Sequence, residues 1–147
     1  TEIAAGSCGE AVKVNLGDVG YCRVEYGPAS VAVLSKSVTQ FAPEDRVNFL
    51  ADSWAMVQAG RAEPPSWLAL VETLSPDERR PVWDQVISTM SALNRLSRNR
   101  AERPALQNYV RAKLRPVFDK LGWDGSGSGG DNSTLPRASL ISKLGEI

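Results

Sequence analysis

The sequence predicts a mainly α-helical protein whose helices pair and stack as an α-solenoid, preceded by one short β-hairpin. Two observations predict the helices: apolar residues recur at steps of three and four along most of the chain, and prolines or glycines divide these stretches at short joints. A third observation, alternation of apolar and polar residues near the N-terminus, predicts the hairpin. The segments are irregularly spaced, so no strict repeat period follows.

Pro43–Gly60 carries the most complete helix signal, and we expect the other segments to pack around it. Pro43 suits the first turn, where an amide would lack an intrahelical partner, and Glu44 and Asp45 place negative charge at the positive end of the helix dipole. Gly60 suits a left-handed stop. The apolar stripe between these signals is wide, which favours helical neighbours on two sides.

Residues 12–16 and 21–26 each alternate apolar with polar side chains, as half-buried strands do. Gly17 and Gly20 lie between them and permit positive φ, so a hairpin with a four-residue connection is expected. Because an isolated hairpin is marginal in water, these strands are expected to complete a sheet.

The remaining helices follow the same rules. Short joints favour antiparallel pairs of consecutive helices, in a HEAT/armadillo-like arrangement. Ser66 is expected to cap the start of one helix, and Pro116 to kink or break another. The predicted segments are Ala29–Gln40, Trp67–Leu74, Arg79–Arg98, Ala105–Leu121 and Leu135–Ile147.

The composition excludes several classes of function. Seventeen basic and seventeen acidic residues give a net charge of zero, which argues against a dominant attraction to nucleic acid or an anionic membrane. The chain has no histidine, which excludes a serine–histidine triad, a histidine base and the usual histidine-containing zinc sites within it. Cys8 and Cys22 are expected to be free thiols. The sequence has no membrane-length apolar run and no signal-peptide pattern, so a cytoplasmic location is expected.

Acidic and aromatic residues offer few sites for chemistry. The carboxylate pairs Glu44/Asp45 and Asp77/Glu78 stand at helix starts, where a solvated role beside the dipole is expected rather than acid–base catalysis. Asp52 lies beside the apolar stripe, and we expect it to be partly buried and ion-paired. Four tryptophans on separate segments suit packing anchors better than one aromatic cage. They are Trp54, Trp67, Trp83 and Trp123.

One concentration of arginines is present: Arg95, Arg98, Arg100, Arg103, Arg111 and Arg115. Such a group can bind a phosphate backbone or an acidic peptide end, but the balanced charge favours a solvated helix face. The glycine-rich stretch 125–133 lacks the Gly-Lys-Ser/Thr ending of a phosphate-binding loop, so no nucleotide site is expected. No residue is assigned to catalysis, to a cofactor or to a metal.

Residues 12–60 also carry a recognisable pattern. Asn15, Gly17, Gly20, Tyr21, Arg23, Val24 and Tyr26 form an Asn-x-Gly-x-x-Gly-Tyr-x-Arg-Val-x-Tyr motif, and Asp45, Arg46, Leu50, Asp52 and Ala59-Gly60 follow it. In these residues the chain resembles the zinc metallo-aminopeptidases of the aminopeptidase N and puromycin-sensitive aminopeptidase type. The resemblance runs from Val12 to Ile147, with Cys22 where another tyrosine is common.

The resemblance implies that residues 1–27 are the last strands of a β-sandwich domain and residues 28–147 the first part of a C-terminal helical domain. In that family the His-Glu-x-x-His zinc helix, the distant glutamate ligand and the catalytic tyrosine belong to a preceding domain. No position here matches them, and Tyr21 and Tyr26 do not fit the motif of the catalytic tyrosine. Zinc is therefore expected in the parent enzyme, and no cofactor in this chain.

The predicted function is that of a non-catalytic C-terminal fragment of a zinc-dependent aminopeptidase, shaping the substrate chamber of a parent that removes N-terminal residues from peptides. The expected partners are the catalytic domain of the parent and, through it, the peptide substrate, with neither nucleic acid nor membrane. Self-association of the fragment is a further expectation. The start at Thr1 without methionine and the finish at Ile147 directly after an amphipathic run favour a fragment. The alternative is an independent helical-repeat module that binds a peptide or protein, and nucleic-acid binding through Arg95–Arg115 is a weaker one.

Overall fold

The structure is a computed structural model that describes residues 12–76 and 79–121, together with Ile141, Ser142 and Gly145. Its described helices are α1 (Pro28–Ser37), α2 (Pro43–Gln58), α3 (Pro64–Glu72), α4 (Arg80–Leu96) and α5 (Arg103–Leu121). Two 3-10 turns are also present, at Leu16–Asp18 and Val38–Gln40. The chain divides after Ser75 into two compact units, and each is described by itself. The mainly α-helical fold class is confirmed, whereas the solenoid arrangement stays a prediction.

Helix α2 is the central helix of the first unit, as its signals predicted. It begins at Pro43, and Gly60 just beyond its end has a φ of 70°, the left-handed conformation expected of the stop. Helix α2 packs against α3, where the rings of Trp54 and Trp67 meet edge to face with centroids 6.0 Å apart. The buried apolar side chains of this unit are Leu34, Val38, Phe49, Leu50, Trp54, Trp67, Leu70, Val71 and Leu74.

Two of the predicted boundaries in this unit need correction. Helix α3 begins at Pro64 rather than after Ser66, so Ser66 is a helical residue and not the cap. A proline lacks the amide that a first helical turn leaves unpaired, and this allows the helix to start earlier than a serine-cap rule predicts. The helix predicted over Ala29–Gln40 is divided, with α1 ending at Ser37 and a 3-10 turn following it.

In the described part of the second unit, α4 packs against α5. Pro81 lies in the first turn of α4, where proline is tolerated because the amide that it lacks would have no intrahelical partner. Helix α5 continues through Pro116 without the break that was one of the two outcomes predicted there. The buried apolar side chains of this unit are Val82, Trp83, Val86, Ile87, Met90, Leu93, Val110, Leu114 and Val117.

The predicted hairpin is not formed, because residues 12–27 contain no strand and only one 3-10 turn. In the alternation at residues 12–16 the buried side chain is a polar one: Val12 and Val14 are 39% and 47% exposed, while the Lys13 side chain is 3% exposed. The remaining sequence predictions, on Cys8, Asp77/Glu78, Trp123, the stretch 125–133 and most of Leu135–Ile147, lie outside the described residues.

Candidate functional site

The best-defined polar site of the chain lies where residues 12–27, here called the linker segment, run along α2. Eight side chains form it, and we call this group the polar cluster. Three of its charged side chains, those of Lys13, Asp45 and Asp52, are largely withdrawn from water. Its members are Lys13, Asn15, Asp18, Arg23, Tyr26, Asp45, Asn48 and Asp52. The linker segment is thereby attached to the helix by side chains rather than by sheet hydrogen bonds.

Asn15 closes the tight turn at the start of the linker segment. Its Oδ1 accepts a 2.6 Å hydrogen bond from the amide of Gly20, and its Nδ2 donates to the Gly20 carbonyl and to Asp18. Gly17 has a φ of 72°, and a Cβ on Gly20 would lie 2.9 Å from Asn15 Oδ1. Positive φ favours glycine at the first position, and the close approach of the Asn15 side chain favours it at the second. This turn is the physical reason for the Asn-x-Gly-x-x-Gly spacing.

Asp45 joins this turn to the first turn of α2. Its Oδ1 accepts a 2.8 Å hydrogen bond from the amide of Gly17 and lies 3.6 Å from Lys13 Nζ. Lys13 Nζ also donates to Asn48 Oδ1 at 2.8 Å, and Asn48 Nδ2 donates to Asp18. The Asp45 side chain is 8% exposed, so the prediction that it is solvated is wrong. The solvated role remains correct for Glu44, which is exposed.

Asp52 carries the second attachment of the linker segment. Its side chain is fully buried, and its Oδ1 lies 3.1 Å from Nη1 of Arg23, whose own side chain is 60% exposed. The predicted burial and ion pairing of Asp52 are confirmed. Its other carboxylate oxygen, Oδ2, has no hydrogen-bond partner in the described structure, and buried polar atoms of this kind are rare in folded proteins.

Tyr26 fixes the far end of the linker segment. Its hydroxyl accepts a hydrogen bond from the amide of Val14 at 3.1 Å, and its ring meets Phe49 of α2 edge to face. Burial raises the pKa of Tyr26 above its usual 10.0; the bond to Val14 opposes this, and the carboxylates of Asp52 and Asp45 add to it. The neutral phenol is therefore the form that the folded protein favours.

The raised pKa of Tyr26 predicts a loss of stability at alkaline pH. A tyrosine with a raised folded pKa stabilises the fold fully below its unfolded pKa of 10.0 and loses that contribution as pH rises through the folded pKa. We expect the urea midpoint to fall as the pH rises above 10.0, and to fall less steeply in Tyr26→Phe. If the urea midpoint fell equally steeply with pH in the original protein and in Tyr26→Phe, the assignment would be contradicted, because lysine deprotonation is common to both.

A substitution at Gly17 tests the turn. Gly17→Ala forces a side chain into positive φ and is expected to cost about 1–2 kcal/mol of unfolding free energy. Gly17→Asn is the matched control, since asparagine tolerates this conformation, and it should cost less. Chemical denaturation followed by circular dichroism measures both, and an alanine variant as stable as the asparagine variant would show that the turn adopts another conformation.

A small cavity of about 60 Å³ lies beneath the linker segment, beside the polar cluster. Val24, Tyr26, Met56 and Leu70 contribute to its wall. Glu25 and Arg61 also line it and form an exposed ion pair, in which Arg61 Nε donates to Glu25 Oε1 at 2.9 Å. The volume suits a few water molecules rather than a peptide.

The polar cluster holds the linker segment in place through hydrogen bonds and ion pairs. Among the described residues no group of three histidine, cysteine or acidic side chains is placed to hold a metal ion. Tyr21 is fully exposed and Tyr26 is bonded to backbone. Cys22 is a free, exposed thiol. No helix among residues 12–76 and 79–121 is long and apolar enough to cross a membrane.

Comparison with known proteins identifies the family. A family model described as the ERAP1-like C-terminal domain matches residues 11–147. This chain belongs to the ERAP1-like C-terminal domain family. It is 30% identical over 135 residues to glutamyl aminopeptidase of Mus musculus, an alignment that covers 88% of this chain and 14% of the relative.

Further relatives place the same family in distant organisms. Glutamyl aminopeptidase of Homo sapiens is 26% identical over 121 residues, covering 79% of this chain and 13% of the relative. Aminopeptidase M1-A of Oryza sativa subsp. japonica is 24% identical over 140 residues, covering 92% of this chain and 16% of the relative. The chain thus spans about a seventh of the length of the aminopeptidases that it matches.

The motif residues that carry the family resemblance and the polar cluster largely coincide. Asn15 and Gly20 close the turn of the linker segment. Gly17, Arg23 and Tyr26 contact Asp45, Asp52 and Phe49 of α2, respectively. Arg46, another motif residue, donates to the carbonyls of Phe41 and Thr39 and so fixes the joint before α2. Lys13, Asp18 and Asn48 were not predicted as members of a site, because polar residues at these positions carry no signal in the sequence that would indicate contact between the linker segment and α2.

Proposed function

We propose that this chain is a non-catalytic part of a zinc-dependent aminopeptidase, and that it shapes and braces the substrate chamber of the parent. In this proposal residues 1–27 end a preceding β-sandwich domain, and residues 28–147 begin the helical domain. The parent removes N-terminal residues from peptides. The chain contacts the catalytic domain directly and reaches the peptide substrate only through the parent.

The observation that carries the proposal is the match of residues 11–147 to the C-terminal domain family of aminopeptidases. The polar cluster adds a mechanical reason. Two ion pairs whose carboxylates are buried, Lys13–Asp45 and Arg23–Asp52, hold the linker segment against α2. They fix the position of the chain that precedes α1 relative to α2. The cluster therefore sets the orientation of the helical domain at its origin.

Zinc chemistry does not fit the residues of this chain. The usual catalytic zinc ligands are histidines with a carboxylate, and the chain has no histidine. Its buried carboxylates, Asp45 and Asp52, are occupied by Lys13, the Gly17 amide and Arg23. Any zinc of the parent is held by residues outside this sequence, and no reaction step is assigned to the residues within it.

Two measurements test the proposal. The purified chain, supplied with zinc and aminoacyl chromogenic substrates, is expected to release no product above the zinc-only blank. The coding sequence upstream of Thr1 is expected to encode a His-Glu-x-x-His motif. Reproducible amide hydrolysis by the chain alone would overturn the non-catalytic role.

A different outcome would favour the alternative function. If the coding sequence begins at Thr1 with only an initiator codon before it, the chain is an independent helical module that binds a peptide or protein. Sedimentation of the purified chain separates the two cases further, because a domain removed from its parent exposes apolar surface and is expected to self-associate. Val12, Val14, Leu16, Val19 and Tyr21 are the large exposed apolar side chains of the linker segment.

A further inference from the structure

We propose that the turn between α4 and α5 is a binding surface for an acidic peptide segment of a partner protein. This surface, called here the arginine turn, consists of Arg95, Leu96, Arg98, Asn99 and Arg100, which line one open depression. All five residues are exposed. The proposal goes beyond the function proposed above and does not depend on a parent enzyme.

The structure divides the six arginines between residues 95 and 115 into two groups. Arg103, Arg111 and Arg115 are engaged by Asn94, Asn108 and Asp119, respectively. In the part of the chain that the structure describes, no side-chain hydrogen bond or ion pair engages Arg95, Arg98 or Arg100. The arginine turn therefore presents three unpaired guanidinium groups within six residues.

The local charge favours an anionic ligand. Glu102 is the nearest acidic residue in sequence; it is exposed and forms no ion pair with the arginine turn in the described structure. Clustered guanidinium groups repel one another, and this repulsion is relieved when carboxylates bind. Arginine pairs with carboxylates through two parallel hydrogen bonds, which gives both affinity and orientation.

An exposed leucine at the centre of the arginine turn indicates a peptide rather than a nucleic acid. Leu96 exposes 70% of its surface and suits contact with an apolar side chain. Proteins that bind single strands use long basic grooves with exposed aromatic rings for base stacking. Among residues 79–120, no aromatic side chain is exposed. The surface therefore fits a short peptide that carries an apolar residue between acidic ones.

Fluorescence anisotropy with the full 147-residue chain tests this surface. The probe is a labelled Glu-Asp-Leu-Asp-Glu peptide, and Gln-Asn-Leu-Asn-Gln is its uncharged counterpart. We expect saturable, salt-sensitive binding of the acidic peptide and none of the amide peptide. Arg95→Gln/Arg98→Gln is expected to weaken binding by about tenfold or more.

Two control variants distinguish binding at the arginine turn from a nonspecific effect of net charge. Arg79→Gln/Arg115→Gln removes the same charge elsewhere on the second unit and is expected to weaken binding by less than about twofold. Leu96→Asn leaves the charge unchanged and is expected to weaken binding by about threefold. Circular dichroism checks that each variant is folded.

Three results would overturn the proposal. The first is an absence of saturable binding of the acidic peptide at low salt. The second is equal weakening by the two double variants, which would show that only net charge matters. The third is tighter binding of a single-stranded oligonucleotide of equal charge, which would assign the arginine turn to nucleic acid.

Discussion

Replacing Asp45 with alanine is expected to destabilise the first unit by about 3 kcal/mol, at the lower end of the cost of breaking a buried ion pair. The change removes the acceptor of the Gly17 amide and the carboxylate beside Lys13, whose side chain is 3% exposed. Lys13 keeps its bonds to Asn48 and to the Val14 carbonyl, which limits the loss. Urea denaturation followed by tryptophan fluorescence measures the effect, since Trp54 and Trp67 both lie in this unit.

The neighbouring residue supplies the control for Asp45→Ala. Glu44→Ala removes an exposed carboxylate from the same helix turn, and we expect it to cost less than about 1 kcal/mol. A second variant tests whether the stranded Lys13 causes the loss. Lys13→Met in the Asp45→Ala background removes the unpaired charge and should recover part of the lost stability. If both single variants cost the same, Asp45 has no special role.

The two buried aspartates of α2 show where sequence reasoning succeeds. Asp52 stands beside an apolar stripe in the middle of a strongly periodic helix, so its burial followed from the helix alone. Asp45 stands in the first turn of α2, where the helix dipole alone is enough to explain an acidic residue that is exposed to solvent. Its actual partners, Lys13 and the Gly17 amide, are supplied by the linker segment about 30 residues earlier in the sequence. No local pattern contains that information.

The hairpin at residues 12–26 was wrongly predicted for the same reason: the contacts of the linker segment with α2 are distant in sequence. The alternation at residues 12–16 indicates that the segment has two different faces, but it does not indicate which face is buried. Usually the apolar face is the buried one. Here Lys13 points inward to Asp45 and Asn48 of α2, whereas Val12 and Val14 are exposed. Asn15 bonds to Asp18 and Gly20 within its own turn. Hydrogen bonds to side chains replace the sheet hydrogen bonds that a strand would need. By contrast, the boundaries of helices α2 and α4 were predicted to within about two residues. Helix-terminal residues and apolar periodicity are signals within the helix sequence itself.

Truncating Trp67 to alanine is expected to cost about 3–5 kcal/mol, which is the usual effect of removing a large buried aromatic side chain. Trp67 is fully buried, and its indole packs on Trp54 at the contact between α2 and α3. Such a loss is a large share of the 5–15 kcal/mol that stabilises an ordinary domain. Differential scanning calorimetry of the full chain should show the first unit melting earlier than in the original protein.

A milder pair of variants separates packing from hydrogen bonding at this contact. Trp67 Nε1 donates to the carbonyl of Leu50 at 3.1 Å, whereas the indole nitrogen of Trp83, another buried tryptophan, has no partner in the described structure. Both Trp→Phe changes shrink a buried ring, but only Trp67→Phe also removes a hydrogen bond. It should therefore cost about 1 kcal/mol more than Trp83→Phe. Equal costs would mean that packing alone stabilises the contact, because Leu50 keeps its helical partner when the indole is lost.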